Sequence, residues 1–322
     1  MPLILPSPLL RRIEAIAGAN LEAPGSPPLD FTHPPGEPAL APPDSLAWRV
    51  FKNPVALFAG GIAAVILELA EPRVRTGVWE HTTFRTDPLG RLRRTGRAAM
   101  VTVYAPQPVA ARMIAGIVRA HDAVRGHTPA GEPYHANDPT LLRWVQATAA
   151  FGFATAYDRY VRPLSPAETD RLLAEGLPAA RLYGAPDAPA SAAEMAALFA
   201  VTRPRLEPSP IVDEFLRIMH AAPILPAALR PAQGLLIRAA VSLVPEEDRR
   251  RLHISAAAGL RPWEAPLVRA LAALADRLVL PSSPAAQSCR RMGLPSDYLY
   301  RGAAQVAPGA GATPSGPHRS GA

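Results

Sequence analysis

Apolar residues recur every three or four positions along most of the chain, which is the spacing of one face of an α-helix. The clearest case opens at Pro108, where Ile114 and Ile117 share a face with His121 before Gly126 offers a helix end. An uncharged, apolar run from 54 to 67 covers about 14 residues, short of the roughly 20 that cross a bilayer. It predicts a buried core helix.

Turn and capping residues separate these periodic segments. An N-cap is predicted at Asp44 or Ser45, at Asp138 before Pro139, and at Ser165 before Pro166 and Glu168. Further helices are predicted near 191–201, 208–221, 231–244, 246–252 and 263–279. No alternating segments with a hairpin signal are found. We therefore predict an all-α fold, a single domain of many helices.

Proline and glycine mark the limits of that domain. Residues 1–43 form a proline-rich N-terminal arm containing a short amphipathic helix from Leu9 to Ile16, and the helical domain spans 44–301. Residues 302–322 are mainly Gly, Pro, Ala and Ser, which bury little surface, so a disordered tail is predicted. The arm and the tail should both lie outside the core.

The formal charge of +7 comes almost entirely from arginine, since Lys52 is the only lysine. These arginines are spread along helices without interleaved aromatic residues, which argues against nucleic-acid binding. A lone cysteine, Cys289, excludes an internal disulfide and a cysteine metal cluster. With no secretory pattern at the N-terminus and no predicted span, we expect a soluble, cytoplasmic protein.

His121 is the histidine with the most distinctive setting. It lies on an apolar helix face beside Ala115 and Gly116, whose small size leaves space next to it. No HExxH pair or comparable cluster of ligands for a metal ion occurs in the sequence. From the residues alone, a hydrogen-bonded core histidine is favoured over a metal ligand.

Five blocks follow one another in a distinctive order: WRVFKNPVALFAGGIAAVILELAEP, GVWEHTTFRTDPLGRLRRT, VRAHDAVRG, NDPTLLRWVQAT and RYVRPLSPAETDRLLAE. Over about residues 46–260 they resemble the MpaB-type and rubber (latex-clearing) oxygenase family. The resemblance implies a globin-like helical core with one b-type haem. It also implies oxidation of a hydrophobic molecule, such as an isoprenoid or lipid, by dioxygen or peroxide.

The same resemblance implies roles for particular residues. The block VRAHDAVRG places His121 as the axial iron ligand, with His127 as the second choice. We further predict that the backbone carbonyl of Ile117 holds the other nitrogen of His121.

The segment DPLGRLRRT carries the family's distal Arg-x-x-basic-Thr motif as Arg91, Arg94 and Thr95. At helical spacing these three could share one face toward His121, and either arginine could instead bind the haem propionates. A distal glutamate is expected to act as base. Glu80 is taken as the candidate for this base, and Glu68 and Glu71 remain alternatives.

Two departures from the family pattern leave the substrate open. Glu71 and Gln146 stand where many members have histidine. Two other functions also remain: a non-catalytic haem-binding sensor or store on the same fold, and a helical interaction protein without a cofactor, whose arm docks a partner.

Overall fold

The structure is a computed structural model that describes residues 3, 6–19, 21, 22 and 29–301. The predicted tail, 302–322, lies outside the described residues, as do parts of the arm. The helices are α1 (Ser7–Ala19), α2 (Leu46–Phe51), α3 (Pro54–Ala70), α4 (Pro72–His81), α5 (Pro88–Tyr104), α6 (Gln107–His121), α7 (Pro139–Tyr160), α8 (Pro166–Glu175), α9 (Leu177–Leu182), α10 (Ala192–Thr202), α11 (Pro210–Ala221), α12 (Arg230–Leu243), α13 (Glu246–Arg251), α14 (Ala265–Arg277) and α15 (Pro284–Arg291). The predicted all-α class is confirmed, whereas a globin-like arrangement remains an expectation.

Side-chain caps set several helix starts where the sequence predicts them. Ser45 accepts a hydrogen bond from the Trp48 amide at 3.2 Å and begins α2. Asp138 caps α7, and Ser165 forms a reciprocal capping box with Glu168 at the start of α8. These local interactions satisfy amide groups that the helices themselves cannot.

Helices α3 and α7 form the centre of the main core. They approach so closely that a Cβ atom on Gly60 would lie 2.6 Å from the carbonyl oxygen of Gly152. The indole of Trp144 on α7 donates to the carbonyl of Leu67 on α3 at 3.3 Å. Helices α11, α12 and α14 cover this pair, so α3 is apolar on nearly every side.

A second core cluster corrects the expectation that residues 1–43 lie outside the core. Phe31, Ala39 and Ala41 are buried in it with residues of α2, α5 and α15. The buried guanidinium of Arg291 donates to the carbonyls of Phe31 and Glu37, each at 2.8 Å. The later part of the arm is therefore packed onto the domain, because its backbone carbonyls pair with a buried cation.

Two connections differ from the sequence prediction. Helix α6 ends at His121, and the chain then forms strand β1 (Arg125–His127), which pairs antiparallel with β2 (Pro133–His135). Gly126 is thus a strand residue opposite Tyr134, where a Cβ atom would meet the phenol oxygen at 2.8 Å. The hairpin was missed because each strand has only three residues, too few for an alternating pattern to be visible.

Helix α4 was also missed. Pro72 ends α3 but occupies the first turn of α4, and Glu71 caps this second helix by accepting from the Val74 amide at 2.9 Å. Among the described residues, no single helix has the length and apolarity of a membrane span. Together α3 and α4 meet that criterion, but they are bent by 109° at their junction.

Candidate functional site

Helix α3 packs against α7, and α5 packs against α6, with few close backbone approaches between the two pairs in the described part of the chain. Electrostatic interactions nevertheless join them, because Arg91 on α5 acts on Glu68 of α3 and on His121 at the end of α6. Protein atoms surround these side chains, yet each keeps some accessible surface, as expected where side chains line an internal space. We call this space the crevice.

Glu68 is the deepest acid in the crevice. Burial raises its pKa to about 7, against smaller opposing effects of the Arg91 charge and a hydrogen bond from Thr148. The Thr148 hydroxyl lies 3.4 Å from Oε1 of Glu68, but its single proton has a closer acceptor in the Val145 carbonyl at 2.9 Å. Within the described part of the chain no ion pair within 4 Å joins Glu68 to a basic group, so its charge is only partly compensated. The carboxyl can therefore exchange a proton near neutral pH.

Arg91 links the two sides of the crevice. Its charge lowers the pKa of both Glu68 and His121, which places the guanidinium within electrostatic range of both groups. One guanidinium nitrogen, Nη1, donates to the hydroxyl of Thr95, while Nε is buried without a hydrogen-bond partner. A buried donor left without a partner is costly, so Arg91 is poised to bind an additional acceptor.

His121 is held as a neutral imidazole. Burial is the main cause that lowers its pKa, and Arg91 adds to the effect. Its Nδ1 atom is buried without a hydrogen-bond partner. The predicted hydrogen bond from this ring to the Ile117 carbonyl is therefore not made at Nδ1, because that carbonyl points along the axis of α6.

Asn137 lies beside the imidazole and favours its protonated form. Its amide nitrogen donates to the Val118 carbonyl at 2.9 Å and to the Asp122 carboxylate at 2.7 Å. These two bonds orient the side chain, whereas neither its oxygen nor Nδ1 of His121 completes a hydrogen bond. A slight rotation of the Asn137 side chain would let its oxygen accept a hydrogen bond from Nδ1 of His121. Nε2 of His121 would then remain available as a ligand atom.

The structure does not bring the whole predicted arginine and threonine set into the crevice. Arg94 and Thr95 are exposed. The Arg94 guanidinium donates to the Thr83 hydroxyl at 2.5 Å and approaches the Asp87 carboxylate at 3.5 Å, which directs it toward the start of α5. Of the three, Arg91 alone reaches the buried groups.

The remaining candidates lie elsewhere. Glu71 is buried, but its carboxylate caps α4 and pairs with Arg73 at 2.8 Å, so it has a structural role. Glu80 is exposed and accepts a 3.4 Å hydrogen bond from the phenol of Tyr134. His127 is exposed on β1. Of the three glutamates left open by the sequence, Glu68 is the one on which the Arg91 charge acts.

Sequence reasoning missed two residues near the crevice, Thr148 beside Glu68 and Asn137 beside His121, and it also missed Arg143. Arg143 lies on α7 with its Nε atom buried and without a partner. All three belong to the block NDPTLLRWVQAT, where the sequence prediction treated Asp138 as the helix cap and gave Asn137 no role. The sequence did contain a signal for Asn137. Asp138 alone suffices to cap the helix, so the asparagine directly before it is free for another role.

The donor set of the crevice fits a haem. A neutral imidazole is the usual protein ligand of b-type haem iron, and a partly buried arginine such as Arg91 suits a propionate carboxylate. Two buried polar atoms of this set, Nε of Arg91 and Nδ1 of His121, have no hydrogen-bond partner among the described residues. Among the described residues, no group of three or more His, Cys, Asp or Glu side chains could hold a free metal ion.

Comparison with family models gives one match over residues 48–277. Its description is "ER-bound oxygenase mpaB/B'/Rubber oxygenase, catalytic domain". The matched range includes α3 to α14 and hence every residue named above in the crevice. Comparisons with curated proteins and with solved structures give no match.

Proposed function

Because the chain belongs to the family of mpaB and rubber oxygenase catalytic domains, we propose that it is a haem b-dependent oxygenase acting on a hydrophobic substrate. The observation that carries the proposal is the position of Arg91. Its charge acts both on Glu68, which belongs to the α3–α7 pair, and on His121, which belongs to the α5–α6 pair. An imidazole, a cation and a carboxyl thus converge on one internal space.

His121 would hold the haem through Nε2, with Asn137 orienting the ring from the Nδ1 side. Arg91 carries a buried donor that would bind a propionate. When bound, haem b supplies a redox-active iron that can react with dioxygen or peroxide. A neutral His121, kept so by burial, can offer its lone pair without first losing a proton near pH 7.

Glu68 is proposed as the base in place of Glu80. With a pKa of about 7 it is half-ionised near neutral pH, the condition under which a carboxyl both accepts and returns a proton efficiently. The proton would be taken up at Oε2, since Oε1 is the oxygen that lies near the Thr148 hydroxyl, at 3.4 Å. Arg91 would stabilise negative charge that develops on the reacting oxygen or on Glu68.

The walls of the crevice support a hydrophobic substrate. Gly61 and Val65 lie on the same face of α3 as Glu68, and Ile117 lies one turn before His121 on α6. These partly accessible apolar positions offer few hydrogen-bonding groups, so an alkene, isoprenoid or lipid chain is the substrate class that fits. The oxidant, dioxygen or peroxide, and a cytoplasmic location stay predictions.

An absorption spectrum of the purified protein, with haem b added in equimolar amount, tests the proposal. We expect a Soret band that the His121→Ala substitution abolishes or shifts strongly, because the axial nitrogen is lost. The matched control is His127→Ala, six residues away and exposed on β1, which should leave the band nearly unchanged.

Oxygen consumption with apolar alkenes then distinguishes an oxygenase from the alternative functions. Haem binding without turnover on any apolar substrate would favour a sensor or store. A protein that binds no haem would refute the cofactor and favour a helical interaction protein. Loss of the band in His127→Ala but not in His121→Ala would reverse the ligand assignment.

A further inference from the structure

The outer face of α14 is apolar where a solvent-facing helix normally carries charges. Its inner face, with Val268 and Ala272 fully buried, packs against α3, α7 and α12. On the outer side, Leu267 is 48% exposed and Leu274 is 55% exposed, with Ala270 between them. Trp263, in the turn before the helix, is 61% exposed and extends the same stripe.

Charges around this stripe are almost all positive. Arg261, Arg269 and Arg277 are exposed along its length. The two acids of the segment are engaged from the inner side: Glu264 pairs with Arg238 at 2.5 Å and Asp276 pairs with Lys52 at 2.5 Å. The surface therefore combines large exposed apolar side chains with a basic rim.

Helix α1 extends the surface at the far end of α14. The amide of Leu3 donates to the carbonyl of Arg277 at 2.7 Å, and residues 3 and 278 form a parallel bridge. Helix α1 exposes Leu9 together with Arg11 and Arg12. The combination of exposed leucine and arginine is thus repeated on an adjoining element.

We propose that this surface, the α14 face with its arginine rim, docks the protein onto an anionic lipid bilayer. Apolar residues of an interfacial helix enter the boundary between head groups and acyl chains, tryptophan favours that boundary, and arginines contact anionic head groups. Docking of this kind is peripheral, needs no spanning helix, and does not depend on the haem or on the proposed reaction.

A second copy of the chain is the less suitable occupant. A two-fold contact through this face would bring the same arginine rim of two molecules together, each molecule carrying a formal charge of +7. The segment has no exposed, unengaged acid to offset that repulsion. A bilayer containing phosphatidylserine supplies both the apolar medium and the opposite charge.

Vesicle flotation tests the proposal with the full chain, using phosphatidylcholine vesicles with and without 30 mol% phosphatidylserine at low salt. We expect binding to the anionic vesicles that falls as salt is raised. The double substitution Leu267→Gln/Leu274→Gln should lower the partition coefficient about tenfold or more, because two inserted side chains become polar. The matched control is Val201→Gln, which changes a 77% exposed apolar residue on α10 and should bind as the original chain does.

Tryptophan fluorescence gives a second, local readout. Emission should shift to the blue when anionic vesicles are added, and the shift should be absent in Trp263→Phe, although three other tryptophans remain. No flotation with anionic vesicles would overturn the proposal, as would equal loss of binding in Val201→Gln. A dimer in sedimentation velocity that Leu267→Gln/Leu274→Gln disperses, without vesicle binding, would assign the face to a second copy instead.

Discussion

Replacing Glu68 with glutamine should remove a specific pH dependence from the stability of the protein. Burial raises the pKa of Glu68 from its ordinary 4.5 to about 7, so between these two values the folded state binds a proton that the unfolded state has released. The free energy of unfolding therefore falls as pH rises through this window. The full effect is present above pH 7 and absent below pH 4.5.

The magnitude follows from the two pKa values. Each pKa unit corresponds to about 1.4 kcal/mol, so the rise from 4.5 to about 7 gives a penalty on the order of 3 kcal/mol above pH 7. Glutamine retains the shape and the acceptor for the Thr148 hydroxyl but carries no charge. Glu68→Gln should thus be more stable than the original chain at pH 8 and similar to it at pH 4.5.

Urea unfolding at several pH values between 4.5 and 8.5, followed by circular dichroism, measures this difference. Glu80→Gln is the matched control, because it makes the same chemical change at an exposed site on α4. Its effect should stay within about 0.5 kcal/mol at every pH. Parallel curves for Glu68→Gln and the original chain would refute the assignment of a raised pKa to Glu68.

Two further substitutions test the packing of the cores. Gly60→Ala should destabilise the protein by about 2 kcal/mol or more in urea unfolding, because the new Cβ atom would meet the Gly152 carbonyl at 2.6 Å. The control is Gly96→Ala, at a helix position where a new Cβ atom would meet no described atom within 4 Å; this change should stabilise the protein by about 0.5 to 1 kcal/mol. Equal effects of the two substitutions would contradict this view of the α3–α7 contact. Arg291→Met should lower the free energy of unfolding by about 3 kcal/mol and make residues 29–41 accessible to limited proteolysis, because the carbonyls of Phe31 and Glu37 lose their buried donor. Unchanged cleavage would show that apolar contacts alone hold this segment.

Local chemistry made much of the fold predictable. Periodic apolar residues, capping residues and prolines act within one or two helical turns, so the sequence alone predicts α3, α7, α8 and α14 closely. The same order of blocks was enough to identify the family. Where the local signal was ambiguous the prediction failed: Pro72 begins a helix as well as ending one, and Gly126 lies in a strand.

The roles of individual side chains were decided by tertiary structure. Glu68, Glu71 and Glu80 are similar in sequence context, yet one lies in the crevice, one caps a helix and one is exposed. The hydroxyl that approaches Glu68 belongs to Thr148, 80 residues away. Burial and the charges of distant residues set a pKa, and neither is encoded in a local pattern. The sequence by itself determined most of the helices and the family they form, because those signals are local, whereas packing determined which carboxyl shares the crevice with Arg91 and His121.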